Sequence, residues 1–178
     1  MRLIIRCGII KMLIENARRS DVEVCGFLLG RREGDTFRVL EVRTVKNRLN
    51  SPEAFEMEPE EMVKVLDEAE RRDLDVVGIF HSHPHYPPVP SERDVEGMKN
   101  WRVPWLIITP EGEAGAWVLR EGEVEEVKIV DEANDAREGI KALAKTVRRG
   151  TFGEGGTNEE FRKLRLEALT QRDSINLP

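Results

Sequence analysis

The sequence is poor in the residues that mark secreted and membrane chains. It holds two cysteines, Cys7 and Cys25, in 178 residues. Two cysteines make no disulfide framework, which points to a reducing, cytoplasmic setting. No apolar run approaches the roughly 18–20 residues of a membrane helix. The opening Met1-Arg2-Leu3-Ile4-Ile5-Arg6 turns charged too soon for a secretion signal. Cationic excess is missing too. The net charge is −6, so a nucleic-acid footprint is not expected. Amides are scarce, with one Gln against 25 Glu, while Arg outnumbers Lys 20 to 8. Few thermolabile residues and many charges lean towards heat adaptation.

What is present reads as a folded chain. Hydrophobic residues make up 39% and charged residues 35%, which excludes a disordered polymer. A chain of this length buries roughly 70% of its unfolded surface, so it needs no metal merely to hold a core. The pattern expects a helix from Gly8 to Arg19, with Ile5, Ile9, Met12, Leu13 and Ala17 on one stripe. A strand over Val22–Gly30, a turn at 31–35 and a returning strand over Thr36–Lys46 follow. Asn47–Pro59 reads as a loop, and Pro59 opens a helix to Arg72. Leu74–Phe80 is apolar almost throughout, as in a strand covered on both faces. His81–Pro90 reads as a proline-rich loop, and Ser91–Asn100 as a short helix. Three strands are expected over Trp105–Thr109, Ala114–Arg120 and Val124–Val130. Beyond them lie a helix over Glu132–Arg149, a flexible break at Thr151–Thr157 and a last helix to Arg172. The expected fold is α/β, a mixed and mostly antiparallel sheet with flanking helices over 1–130, then a helical extension over 131–178.

The chain's three histidines all lie between positions 81 and 85. The stretch runs His81-Ser82-His83-Pro84-His85-Tyr86-Pro87-Pro88-Val89-Pro90-Ser91-Glu92-Arg93-Asp94. Residues two apart on extended backbone point the same way, so His81 and His83 can grip one metal ion. Asp94 follows at the first turn of the next helix. Two imidazoles and a carboxylate are good zinc ligands and leave a tetrahedral position for water, whose pKa falls to about 7. A plainer reading makes Ser91 and Asp94 a helix cap. The two readings are compatible, because a helix start also fixes the carboxylate. Glu23 interrupts the apolar run Val22–Leu29 and needs a partner or a task. By spacing alone it is as readily a solvated residue at a frayed strand start.

This order of residues resembles the JAMM motif of the MPN-domain zinc metalloproteases, with His81, His83, Pro84, Ser91 and Asp94 in register. The segment Glu23-Val24-Cys25-Gly26-Phe27-Leu28-Leu29-Gly30 resembles the family's upstream glutamate segment. The resemblance covers roughly residues 1–130. It implies a cytidine-deaminase-like fold, Zn2+ held by His81, His83 and Asp94, Glu23 as general base and acid, and Ser91 as oxyanion donor. It implies cleavage next to the Gly-Gly tail of ubiquitin or a ubiquitin-like modifier. Phe55 and Met57 fall where relatives carry a modifier-contacting insertion, and core packing is the equal alternative for both. The long second insertion of several eukaryotic members is missing, so the chain is similar to the short prokaryotic form. Two other functions stay open: trimming a C-terminal residue from a ubiquitin-like sulfur carrier, and a non-catalytic scaffold. The C-terminal helices are a possible assembly surface, as in the proteasome lid deubiquitinase.

Overall fold

The computed structural model describes residues 1–148, with side chains through 142. The expected break at 151–157 and the helix to Arg172 lie outside the described residues. The chain divides into two compact units, Met1–Asp135 and Ala136–Pro178.

The first unit is built on one sheet of eight strands, in the order β7-β6-β5-β4-β2-β3-β1-β8. The strands are β1 (Arg2–Ile5), β2 (Cys25–Glu33), β3 (Thr36–Val45), β4 (Asp75–Ser82), β5 (Trp105–Ile108), β6 (Ala114–Arg120), β7 (Glu123–Glu126) and β8 (Lys128–Asp131). The helices are α1 (Cys7–Arg18), α2 (Pro59–Arg71), α3 (Glu92–Asn100) and α4 (Glu132–Arg148). The pairs β1–β3, β1–β8 and β4–β5 are parallel. The others are antiparallel, so the mixed sheet with flanking helices stands as expected.

Each face of the sheet carries its own core. Leu13, Ile14 and Ala17 of α1 pack with Leu28, Phe37, Phe80 and Leu106 on one side. Val65 and Ala69 of α2 and Met98 of α3 pack with Cys25, Phe27, Ile79 and Trp105 on the other. Side chains alternate across a strand, so β4 sends Phe80 to the first core and Ile79 to the second. His81 and His83 follow Ile79 in step and emerge on the α2/α3 side. Gly97 lets α3 close down on that core, because a Cβ there would stand 2.6 Å from the Trp105 ring.

Several expected boundaries shift. Residues 2–5 form β1 rather than leading into the first helix, so Ile5 belongs to the sheet. Met12 is 47% exposed and off the buried stripe. Strand β2 starts at Cys25, not Val22, and runs on to Glu33, leaving a turn at Gly34–Asp35. Strand β4 continues through His81 and Ser82, which the sequence reading put in a loop. The expected strand Val124–Val130 is two strands parted by Val127. One of them ends the sheet beside β6, and the other ends it beside β1.

At the edge of the unit, the first turn of α4 is held by arginines. Arg6 meets Glu132 at 2.7 Å, and Arg38 meets Asp135 at 2.9 Å.

Candidate metal centre

The pairing of β2 with β4 builds the site. Cys25 lies opposite His81 in antiparallel register, and Phe27 lies opposite Ile79. Continuing that register backwards sets Glu23 across from His83, on the same face. Ser82 fastens this end. Its amide donates to the Val24 carbonyl, and its hydroxyl accepts from the Val24 amide, both at 2.9 Å. Strand β5 supports the other flank, where the His83 amide donates to the Ile108 carbonyl at 2.9 Å.

Asp94 arrives from α3. Ser91 is the N-cap, and the two residues form a full capping box. The Asp94 amide donates to Ser91 Oγ at 3.2 Å, and Asp94 Oδ2 accepts from the Ser91 amide at 2.7 Å. The Ser91 hydroxyl also donates to Asp94 Oδ2 at 2.7 Å. A cap normally fixes a helix end; here it also fixes the carboxylate against the two imidazoles.

The three donors converge. His81 Nε2 and His83 Nε2 are 3.0 Å apart. Asp94 Oδ1 is 3.3 Å from His81 Nε2, and Asp94 Oδ2 is 3.5 Å from His83 Nε2. One ligand atom from each residue lies within 4.8 Å of the others, and all three residues are buried. His83 Nδ1 is 2.8 Å from the Pro87 carbonyl, which can only accept, so the ring proton sits on Nδ1. This leaves Nε2 as the nitrogen that faces His81 and Asp94, the one a metal would take.

The electrostatics ask for a positive charge at this point. Burial alone would raise the Asp94 carboxyl, but hydrogen bonds from His81 and His83, the charge of His81 and the Ser91 hydrogen bond hold it well below the usual carboxylate range. Burial lowers His81, against the pull of Asp94. Two buried imidazoles facing one ionised carboxylate fit a divalent cation. His81 Nδ1 is buried without a hydrogen-bond partner among the described residues. Phe55 stacks on the His81 ring at 4.6 Å between centroids, and the Trp105 ring meets it edge-on at 5.8 Å.

Glu23 is 3% exposed, which removes the reading of a solvated strand end. Burial pushes its carboxyl up to about 8; His83 and Arg93 pull it down, and Asp94 pushes it further up. Glu23 and Asp94 share a cavity of about 410 Å³ with Ser91, Phe55, Met57 and Trp101. Met57 is 6% exposed and belongs to the α2/α3 core, whereas Phe55 is half-buried. His85 is exposed. Cys25 is fully buried beside the Val45 carbonyl, and burial pushes its thiol up to about 12. Sequence reasoning missed Ser82, Pro87 and Asn47, which hold the site through backbone groups and carry no chemical signature of their own.

Comparison with known proteins agrees with this geometry. Residues 9–120 match the family described as prokaryotic homologs of the JAB domain. A desampylase of Pyrococcus furiosus is 53% identical over 131 residues, covering 73% of this chain and 91% of the relative. A probable TtuB-protein conjugate cleaving protease of Thermus thermophilus is 37% identical, over 64% of this chain and 71% of the relative. The solution structure of a Desulfitobacterium hafniense protein superposes with a TM-score of 0.66 at 28% identity, covering 74% of this chain and 93% of that one. The chain therefore belongs to the prokaryotic JAB-domain family, within the JAMM/MPN peptidases that its motif resembles.

Proposed function

We propose that the protein is a zinc-dependent isopeptidase that cuts next to the C-terminal Gly-Gly of a ubiquitin-like modifier. The observation that carries this reading is the buried Glu23 carboxyl sharing one cavity with Asp94, whose carboxylate is held against two imidazoles. The relatives named as a desampylase and a conjugate-cleaving protease support the substrate class. Zinc held by His81, His83 and Asp94 would supply a Lewis acid and a water acidified towards a pKa of about 7.

The chain's own residues handle the proton and the fit. Glu23, buried at the cavity it shares with Asp94, can accept a proton from water as its carboxylate and return it to a leaving amine. Ser91 can offer its hydroxyl to a developing oxyanion, since Asp94 Oδ2 keeps the Ser91 amide when the hydroxyl turns away. Phe55, Trp101 and Trp105 give the cavity apolar walls. A Gly-Gly segment has no side chains, so its backbone can lie close to such walls. The intact donor set favours an enzyme over a scaffold. An exposed Cys7 and a buried Cys25 suit a reducing cytoplasm. Assembly through residues 131–178 is a further proposal, on their sequence pattern.

The test is cleavage of a ubiquitin-like fusion ending in Gly-Gly by the wild type, by chelator-treated protein and by Glu23→Gln. Cleavage by the wild type alone supports the reading. Equal cleavage in all arms overturns it. Mass spectrometry of the products separates an isopeptidase, which releases two proteins, from a trimming enzyme, which removes one residue.

A further inference from the structure

We infer that Asn47 is a positioning residue: its carboxamide sets Glu23 and Phe55 in one frame across the cavity. This rests on the proposed function, in which Glu23 moves the proton.

Glu23 lies before β2 begins, so the strand ladder does not hold its own peptide groups. The 47–58 segment holds them instead. The Glu23 amide donates to the Ser51 carbonyl at 3.0 Å. The Glu23 carbonyl accepts from Asn47 Nδ2 at 3.1 Å. Asn47 Nδ2 also donates to the Ala54 carbonyl at 3.0 Å. Asn47 Oδ1 accepts from the Leu49 and Glu56 amides, each at 3.1 Å. A carboxamide has two N–H donors and two lone pairs, and here all four are used. The Ala54 carbonyl and the Glu56 amide bracket Phe55, whose ring lies on His81. One side chain thus spans from the backbone of the proposed proton carrier to the residue stacked on a proposed ligand.

The arrangement is not needed to close the loop. The Asn47–Met57 bridge, the Arg48 amide to the Glu56 carbonyl at 2.9 Å and the Glu58 amide to the Lys46 carbonyl at 2.9 Å already do that. What Asn47 adds is the link to Glu23. Catalytic groups displaced by about 1 Å can lose on the order of 100-fold in rate. Loss of the carboxamide should therefore act on the chemical step through Glu23.

The experiment uses the full chain with Asn47→Ala and the isosteric Asn47→Asp, which keeps two acceptors and loses both donors. Amide hydrogen exchange over residues 21–26 is read first, because it needs no substrate. We expect both variants to exchange the Glu23 amide at least about 10-fold faster with an unchanged melting point; unchanged exchange overturns the proposal. Cleavage of the ubiquitin-like fusion is read next. We expect kcat to fall about 10- to 100-fold with KM within about 3-fold. In a Glu23→Gln background, adding Asn47→Ala should cost less than about 2-fold. A full additive loss there overturns the link through Glu23. A wild type that does not cleave overturns the proposed function and leaves the exchange result to decide the clamp. If Asn47→Ala fails to fold, Asn47→Asp carries both measurements.

Discussion

Two carboxylates meet in one cavity, and the segments that deliver them are built differently. Asp94 sits in the first turn of α3, inside a capping box, with its Oδ2 accepting from both the Ser91 amide and the Ser91 hydroxyl. Glu23 sits ahead of β2, buried, its peptide groups tied to a loop. Burial would raise both carboxyls. Hydrogen bonds outweigh it at Asp94, and burial prevails at Glu23, which rises to about 8. In the metal-free protein one acid is thus held as an anion, while burial resists ionisation of the other. The contrast comes from the side-chain hydrogen bonds of His81, His83 and Ser91 and the charge of His81, since the functional group is the same.

The sharpest way to break the contrast is to neutralise each side in turn. Asp94→Asn should abolish cleavage and metal retention together, measured by metal analysis after gel filtration. Glu23→Gln should keep the metal and lower kcat by about 10²–10⁴-fold. If Glu23→Gln also sheds the metal, the two acids do not have separate tasks.

The same contrast predicts a stability effect of opposite sign to the catalytic one. The folded-state pKa of Glu23 lies above the ordinary glutamate value of 4.5, at about 8. The folded protein therefore keeps a proton that the unfolded chain releases, and stability is lost as pH rises from about 4.5 to 8. Metal-free Glu23→Gln should match the wild type near pH 4 and exceed it by about 1–3 kcal/mol at pH 8. Urea unfolding at the two pH values measures the gap. A gap that does not widen with pH would mean that Glu23 is not forced up by burial.

Two smaller changes address the helix that carries Asp94. Gly97→Ala puts a methyl group into the Trp105 ring and should cost about 1–3 kcal/mol by thermal unfolding. Ser91→Ala removes the cap and should cost about 1 kcal/mol, while lowering kcat if the hydroxyl also serves the oxyanion. A loss of stability with kcat unchanged would leave Ser91 as a cap alone.

Much of this was legible in the sequence. His-x-His and the delayed Asp94 carry their chemistry in residue type and spacing, and the apolar run before them gives the strand. The extent of that strand was not legible. Buried polar residues end a hydrophobic pattern although the ladder continues through His81 and Ser82. Glu23 was ambiguous for the same reason: a charge at a strand start looks alike whether water or a loop covers it. Asn47 gave no signal, because it acts on backbone groups whose positions only the fold sets. Strand β1 was lost because Leu3-Ile4-Ile5 is short and runs on into a helix of the same apolar character. The break at Val127 was hidden in a continuous β-forming stretch.

That break has a further consequence. The two outermost strands of the sheet are neighbours in the chain, with Val127 alone between them. Its amide still reaches the Ala116 carbonyl at 2.8 Å, while Lys128 pairs with Arg2. The layer must curl until its margins nearly touch, so β1 is gripped from both sides only if residues 128–131 are kept. Trimming the chain before Lys128 would therefore uncover β1 as a new border open to unwanted pairing.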